Sequence, residues 1–101
     1  MKEDLLKIIN NYGVMPQLKY FQSEVFELNE AIMKKETEYQ FCETTVKIDS
    51  ENLKHIAEEI ADVLVMIYQF VEYYNIDQVE LCKIMDFKIN RQLGRINKES
   101  N

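Results

Sequence analysis

The chain has 101 residues and a formal net charge of −6, with 47% hydrophobic and 30% charged residues. This composition excludes a disordered chain, and the length predicts one domain over residues 1–101. The acidic balance argues against binding to nucleic-acid polymers, which requires a basic surface. It does not exclude a phosphate substrate, because a bound metal can reverse the local charge.

With only two glycines and one proline, the sequence favours long helices over sheets. The spacing of apolar residues predicts a first helix over residues 2–11, which Gly13 ends with a left-handed cap. Pro16 fits the first turn of a second helix that runs to about Lys35. For residues 36–49 three alternatives stay open: a short hairpin, an ordered loop, or extensions of the flanking helices.

Two further helices are predicted in the second half of the chain. Asp49-Ser50 supplies the capping residues of a third helix that ends near Tyr74-Asn75. Asp77, with Glu80 three residues later, resembles the capping box of a fourth helix that runs to about Asn97. The predicted fold class is therefore all-α, a four-helix bundle. The fourth helix is expected to direct inward an apolar face formed by Val79, Cys82, Met85, Ile89 and Leu93.

The third helix is expected to be the most buried, since the run from Val63 to Tyr68 is apolar on all sides. Other helices or another subunit would have to cover such a run. A chain this short also gains from oligomerisation when it builds a core. We therefore expect a homodimer or homotetramer that forms through the apolar sides of helices 2 and 3.

Helices 2 and 3 each carry an acidic pair beside an apolar stripe. At about 100° per residue, Glu24 and Glu27 share one flank of helix 2, and Glu59 and Asp62 share the equivalent flank of helix 3. If the two helices pack together, four carboxylates meet in one pocket, and such ligands suit Mg²⁺ or Mn²⁺. The stripes consist of Leu18, Phe21, Val25, Leu28 and Ile32 on helix 2, and of Ile56, Ile60, Val63, Ile67, Phe70 and Tyr74 on helix 3.

An E-x-x-E motif followed by E-x-x-D on neighbouring helices resembles the hallmark of the MazG-like all-α nucleotide pyrophosphohydrolases. That superfamily includes phosphoribosyl-ATP pyrophosphohydrolases and dimeric dUTPases, and the resemblance covers about residues 13–96. The residues that carry it are Gln17, Glu24-x-x-Glu27-Leu28 with Ala31-Ile32, and Glu58-Glu59-Ile60-Ala61-Asp62-Val63-Leu64.

The resemblance implies a MazG-like bundle that uses Mg²⁺ to hydrolyse a nucleoside triphosphate between its α- and β-phosphates. The products would be a nucleoside monophosphate and pyrophosphate. The same resemblance implies that Glu24, Glu27, Glu59 and Asp62 are the metal ligands. Glu58, or one of these four, would orient the attacking water. A cage of carboxylates around a divalent ion supplies the charge neutralisation that phosphoryl transfer needs.

The sequence departs from the family pattern at two places. Ser23 stands where many members have a glutamate, and the interval between Glu27 and Glu59 is longer than usual. The longer interval, filled by residues 36–49, either shapes base recognition or is an inert loop.

Further candidates for substrate binding lie outside the acidic motifs. Gln17 could hydrogen-bond a substrate, although an ordinary polar position on a helix is the alternative. On the fourth helix, Lys88, Arg91 and Arg95 recur at helical spacing, with Asn90 nearby, and could contact the triphosphate. A solvated basic face explains the same spacing equally well.

Two other functions compete with the hydrolase. One is a non-enzymatic helical oligomerisation or interaction module, which has no need of four acids beside its core. The other is a metal-binding family member with little turnover. We expect a cytoplasmic protein without membrane association, because no signal peptide or membrane span is recognisable. Cys42 and Cys82 are then reduced thiols, with a disulfide or a metal pair as the less favoured reading.

Overall fold

The computed structural model describes the backbone of residues 1–41 and 46–100, and the side chains of residues 1–37 and 50–99. Within these ranges the chain is entirely helical and contains no strand, which confirms the predicted all-α class. No helix in the described ranges is long and apolar enough to cross a membrane. The helices are α1 (Lys2–Tyr12), α2 (Val14–Phe41), α3 (Val46–Tyr73) and α4 (Gln78–Ser100).

The break between α1 and α2 depends on Gly13. Its φ of 93° is a conformation that a Cβ atom disfavours, and its N–H donates to the carbonyl oxygen of Ile9 at 2.8 Å. Its ψ of 156° lies outside the left-handed helical region, so the predicted left-handed cap is instead an extended one. Pro16 falls in the first turn of α2, as predicted.

Between the two acidic motifs, the flanking helices are extended. α2 continues beyond Lys35 to Phe41, and α3 already begins at Val46, so Asp49-Ser50 lies within α3 instead of capping it. The physical reason is that residues 36–50 contain no glycine or proline that would end a helix. Residues 42–45, which include Cys42, lie outside the described residues.

The turn between α3 and α4 follows local capping rules. Asn75 has a φ of 51°, and the N–H of Ile76 donates to the carbonyl oxygen of Val71 at 2.9 Å, which closes α3 in a Schellman motif. Asp77 caps α4, since its Oδ1 accepts the N–H of Val79 at 3.1 Å. This confirms the predicted N-terminal cap of α4.

α2 and α3 pack against each other along the faces that carry the acidic flanks. The rings of Phe21 and Phe70 meet edge to face across this contact, with centroids 5.8 Å apart. α1 covers one side of the pair and buries Leu5 and Ile9. Among the described side chains of α2 and α3, the buried residues are Gln17, Glu24 and Ala31 on α2, and Val63, Met66, Gln69 and Val71 on α3.

The predicted apolar stripes are therefore only partly the core of the single chain. Phe21, Leu28, Ile56 and Phe70 are half-buried, and Val63 is buried. The acidic flanks share the α2–α3 contact with part of each stripe, and the rest of each stripe faces solvent. The stripe residues that stay exposed are Leu18, Val25, Ile32, Ile60, Ile67 and Tyr74.

Within residues 1–41 and 46–100, α4 does not pack along any of the other three helices. Its predicted inward face is exposed, with Ile89 53% accessible, and of its residues 78–99 only Leu81 is half-buried. The radius of gyration is 17.7 Å, whereas a compact domain of this length has about 13 Å. One chain therefore forms a three-helix core with a projecting α4, and does not close a four-helix bundle by itself.

Candidate functional site

Three of the four predicted carboxylates converge between α2 and α3. Glu24, Glu27 and Glu59 each place one carboxylate oxygen within 4.8 Å of the other two. Glu24 and Glu27 come from successive turns of α2, and Glu59 comes from the facing turn of α3. We refer to Glu24, Glu27 and Glu59 as the acidic triad.

The acidic triad is buried on one side and open on the other. Glu24 is only 5% exposed and the side chain of Glu59 only 12%, whereas Glu27 is exposed. The Oε2 atoms of Glu24 and Glu59 are buried and have no hydrogen-bond partner among the described side chains. Buried carboxylate oxygens are costly without a partner, so this arrangement suits a cation that enters from the side of Glu27.

Burial raises the pKa of Glu24 above its ordinary value, and the negative charges of Glu27 and Asp62 raise it further. A hydrogen bond with the Tyr20 hydroxyl opposes this shift. The same hydrogen bond, together with the charge of Glu24, raises the pKa of Tyr20. Without a cation, Glu24 therefore holds its proton more tightly than an isolated glutamate does.

The pKa of Glu59 is also raised, first by burial and then by the charges of Glu27 and Asp62. His55 opposes this shift from one turn away, where its Nε2 lies 3.9 Å from Oε1 of Glu59. A divalent cation in the triad would act in the same sense as His55 and keep both buried glutamates ionised.

These shifts predict how the stability of the metal-free protein depends on pH. Because the folded-state pKa of Glu24 and Glu59 is raised, their contribution to stability is complete below the unfolded pKa of about 4.3 and is lost as pH rises through the folded values. Thermal melting in EDTA should give a midpoint that, as pH rises above about 4.3, falls more steeply in the wild type than in Glu24→Gln. Equal slopes for the two proteins would contradict the raised pKa of Glu24.

The remaining predicted catalytic residues lie at the edge of this cluster or outside it. Asp62 is exposed but lies beside Glu24, close enough to affect its pKa by charge and by hydrogen bonding. It does not belong to the set whose oxygens all lie within 4.8 Å of one another. Glu58 is exposed and lines neither of the grooves described next.

The carboxylates lie between two grooves of different character. The first, the apolar groove, has a volume of about 580 Å³ and runs between α1, α2 and α3, with Glu24 and Asp62 among its lining residues. The second, the polar groove, has a volume of about 400 Å³ and contains Glu27 and Glu59. The other residues of the polar groove are Glu30, Ala31, Lys34 and His55. A ligand that spans the triad would meet apolar walls on one side and charged groups on the other.

A buried pair of amides lies in the wall of the apolar groove. Nε2 of Gln17 donates to Oε1 of Gln69 at 2.8 Å, and Gln69 is only 2% exposed. Gln17 was predicted as a substrate-binding residue, but Gln69 was not. The sequence feature that could have identified Gln69 is its position as a single amide within the apolar run Ile67-Tyr68-Gln69-Phe70-Val71.

The basic residues predicted on α4 do not join the carboxylates within one chain. Lys88, Asn90, Arg91 and Arg95 are exposed and line neither groove. The guanidinium carbon of Arg91 lies 6.0 Å from the centroid of the Phe87 ring, a cation–π contact within α4. Contact between these residues and a ligand at the triad would require α4 to pack against α2 and α3.

No family model, no curated protein and no solved structure matches this chain. The residues of the site are therefore what indicates a function for this protein.

Proposed function

We propose that the protein is a nucleoside triphosphate pyrophosphohydrolase of the MazG-like type, dependent on Mg²⁺ or Mn²⁺. The observation that carries this proposal is the acidic triad, with two buried carboxylate oxygens that lack a partner. A three-helix core gains nothing from these groups, because desolvation of unpaired carboxylates destabilises the fold. A hard divalent cation satisfies them with the oxygen ligands that it prefers.

The surroundings of the triad support a nucleotide as the ligand. A nucleoside triphosphate has a flat heterocycle at one end and a polyanion at the other, and the triad lies between an apolar and a polar groove. In the polar groove, Lys34 and His55 are the cationic or potentially cationic groups that could face phosphate oxygens. We therefore assign the base to the apolar groove and the terminal phosphates to the polar groove.

In the proposed reaction, water attacks a phosphorus atom of the α–β anhydride, and the bond from that phosphorus to the bridging oxygen breaks. The products are a nucleoside monophosphate and pyrophosphate. A bound divalent cation supplies charge neutralisation and lowers the pKa of the attacking water. Glu24, Glu27 and Glu59 would hold the cation. Asp62, next to Glu24 and accessible to the groove, would complete the ligand set or accept the proton of the water.

We propose that the functional unit is a homodimer or homotetramer. The chain exposes 8307 Å², whereas a compact monomer of 12.1 kDa exposes about 6000 Å². Burial of the excess, roughly 2000 Å² on each chain, falls within the range of obligate homodimers. The surfaces to be covered are the outward stripes of α2 and α3 and the apolar face of α4. Packing of α4 against a second copy would also bring Lys88, Arg91 and Arg95 closer to a phosphate ligand.

The exposed apolar face of α4 also favours the alternative of a non-enzymatic interaction module. The two functions differ in their need for a cation. Melting of the wild type with Mg²⁺ or Mn²⁺ should raise the midpoint if the folded triad binds the ion, whereas an interaction module would melt at the same temperature. Metal binding without pyrophosphate release from any nucleotide would identify the third possibility, a family member with little turnover.

The experiment that tests the proposal is a pyrophosphate-release screen over canonical and damaged nucleoside triphosphates with Mg²⁺ and Mn²⁺. We expect turnover in the wild type, and a loss of about 100-fold or more in Glu59→Gln and Asp62→Asn with the helical circular dichroism unchanged. Glu36→Gln, an exposed glutamate of α2, is the matched control and should retain activity. Full activity in both site variants would remove Glu59 and Asp62 from the site.

A further inference from the structure

The buried pair formed by Gln17 and Gln69 has no evident structural purpose. Two amides in a helix–helix contact need partners, and aliphatic side chains of similar size would pack there without that need. The bond from Gln17 Nε2 to Gln69 Oε1 satisfies one donor and one acceptor. Nε2 of Gln69 lies 3.6 Å from Sδ of Met66, and a thioether is a weak acceptor. The bond between the amides leaves the carbonyl oxygen of Gln17 unused, and both glutamines line the apolar groove.

We propose that the apolar groove binds the heterocyclic base of a nucleotide, and that the pair of Gln17 and Gln69 reads the hydrogen-bonding edge of that base. The inference rests on the proposed function, which places the phosphates at the acidic triad. Tyr20 and Met66 supply aromatic and polarizable surface for the faces of the ring. The groove volume of about 580 Å³ lies within the usual range of small-molecule sites.

The pairing also predicts that two bases of the same ring size, one with an amino group and one with a keto group, are both accepted. Each amide can rotate by half a turn about its terminal bond, which exchanges its oxygen and nitrogen. If both rotate, Nε2 of Gln69 donates to Oε1 of Gln17. Gln17 then offers the groove its Nε2 donor in place of its Oε1 acceptor. Among the described side chains, the other hydrogen bond that this exchange breaks is the weak one from Gln69 to Met66. The pair of Gln17 and Gln69 can therefore hydrogen-bond to an amino group, as in cytosine, or to a keto group, as in uracil. We expect cytidine and uridine triphosphates to be used with kcat/KM values within about tenfold of each other.

The test compares wild type, Gln69→Leu, Gln17→Leu and the exposed control Gln22→Leu. Turnover is measured with cytidine triphosphate, uridine triphosphate and ribose 5-triphosphate, which has no base. In Gln69→Leu and Gln17→Leu we expect kcat/KM for both nucleotides to fall about tenfold or more, while the value for ribose 5-triphosphate and the behaviour of Gln22→Leu stay unchanged. Circular dichroism establishes that each variant is folded, and Gln17→Leu serves if Gln69→Leu is not.

A second measurement separates this inference from the proposed function. Cytidine and uridine, without phosphates and without divalent ions, are titrated into ¹⁵N-labelled wild type, and the side-chain amide signals of Gln17 and Gln69 are followed. Amide shifts without any pyrophosphate release support base binding and reject the hydrolase. Turnover by the wild type with no change in the amide signals overturns the inference but supports the hydrolase. The same conclusion follows if kcat/KM of the Gln69→Leu and Gln17→Leu variants falls equally for the nucleotides and for ribose 5-triphosphate. A preference above about tenfold between the two bases overturns the reversible pairing.

Discussion

Replacement of Glu24 with glutamine is expected to stabilise the metal-free protein and to abolish its stabilisation by Mg²⁺ or Mn²⁺. Glutamine has the same shape and no charge to desolvate, and its amide can donate to the neighbouring carboxylates of Glu27 and Asp62. Relief of a buried unpaired oxygen should add about 1–3 kcal/mol to the free energy of unfolding. In the wild type, an ion at 100 times its dissociation constant should add about 2.7 kcal/mol, and Glu24→Gln should lose most of that gain.

Thermal melts with EDTA, Mg²⁺ and Mn²⁺, all at one protein concentration, measure both effects. Glu36→Gln removes a glutamate from the exposed surface of the same helix and should melt like the wild type under every condition. A metal-induced shift that persists in Glu24→Gln would place the ion elsewhere. A metal-free midpoint below that of the wild type would show that the ionised Glu24 stabilises the fold, which the unpartnered Oε2 argues against.

The opposite signs of these two effects make this variant informative. If Glu24 only stabilised the fold, its replacement would lower the free energy of unfolding whether or not the ion is present. If Glu24 instead binds the ion at the expense of stability, removal of its charge stabilises the protein and abolishes ion binding at the same time. Pyrophosphate release by Glu24→Gln should be lost together with the metal response, because the same oxygens would serve both.

Replacement of Ile89 with glutamate is expected to convert the proposed oligomer to a monomer. Ile89 lies at the centre of the exposed apolar face of α4, which also includes Met85 and Leu93. A charge buried without a partner at an interface costs several kcal/mol, which is enough to dissociate a dimer at micromolar concentration. Sedimentation should show an oligomer for the wild type and a single chain for Ile89→Glu, with the helical content of the core retained.

Lys98→Glu is the matched control, because residue 98 lies on the opposite side of α4 at about 100° per residue. It introduces the same side chain outside the apolar face and should leave the oligomer intact. A wild-type chain that sediments as a monomer at every concentration would contradict the proposal, and the exposed surface of 8307 Å² would then belong to the protein in solution. If Ile89→Glu remains an oligomer, the interface uses α2 and α3 without α4.

The local features of the fold were predictable because they depend on neighbouring residues. The break at Gly13, the cap at Asp77 and the presence of four helices all follow from side chains within one or two turns. The prediction was wrong at Asp49-Ser50, because residues that can cap a helix also occur inside one. Only the continuous backbone hydrogen bonding of α3 distinguishes the two cases.

The candidate site was predictable in part. The shared flanks of Glu24 with Glu27 and of Glu59 with Asp62 follow from helical spacing alone. Their convergence depends on the register between α2 and α3, and spacing within one helix carries no information about that register. The structure brings three of the four together and leaves Asp62 beside them. Gln69 was missed because its role depends on Gln17, which is distant in sequence and meets it only across the contact.

The sequence by itself determined the all-α class, the main turns and the pairing of acids on each of two helices, since these depend on interactions within a few residues. Only the tertiary structure decided which side of each helix faces its neighbour. The run from Val63 to Tyr68 of α3 is apolar on all sides, so periodicity does not distinguish which of its sides packs against α2. In the structure, α2 and α3 are rotated so that Glu24 and Glu59 face the contact between them, while Ile32 and Ile67 face outward. This rotation depends on the surfaces of α1, α2 and α3 together, because all three helices pack against one another.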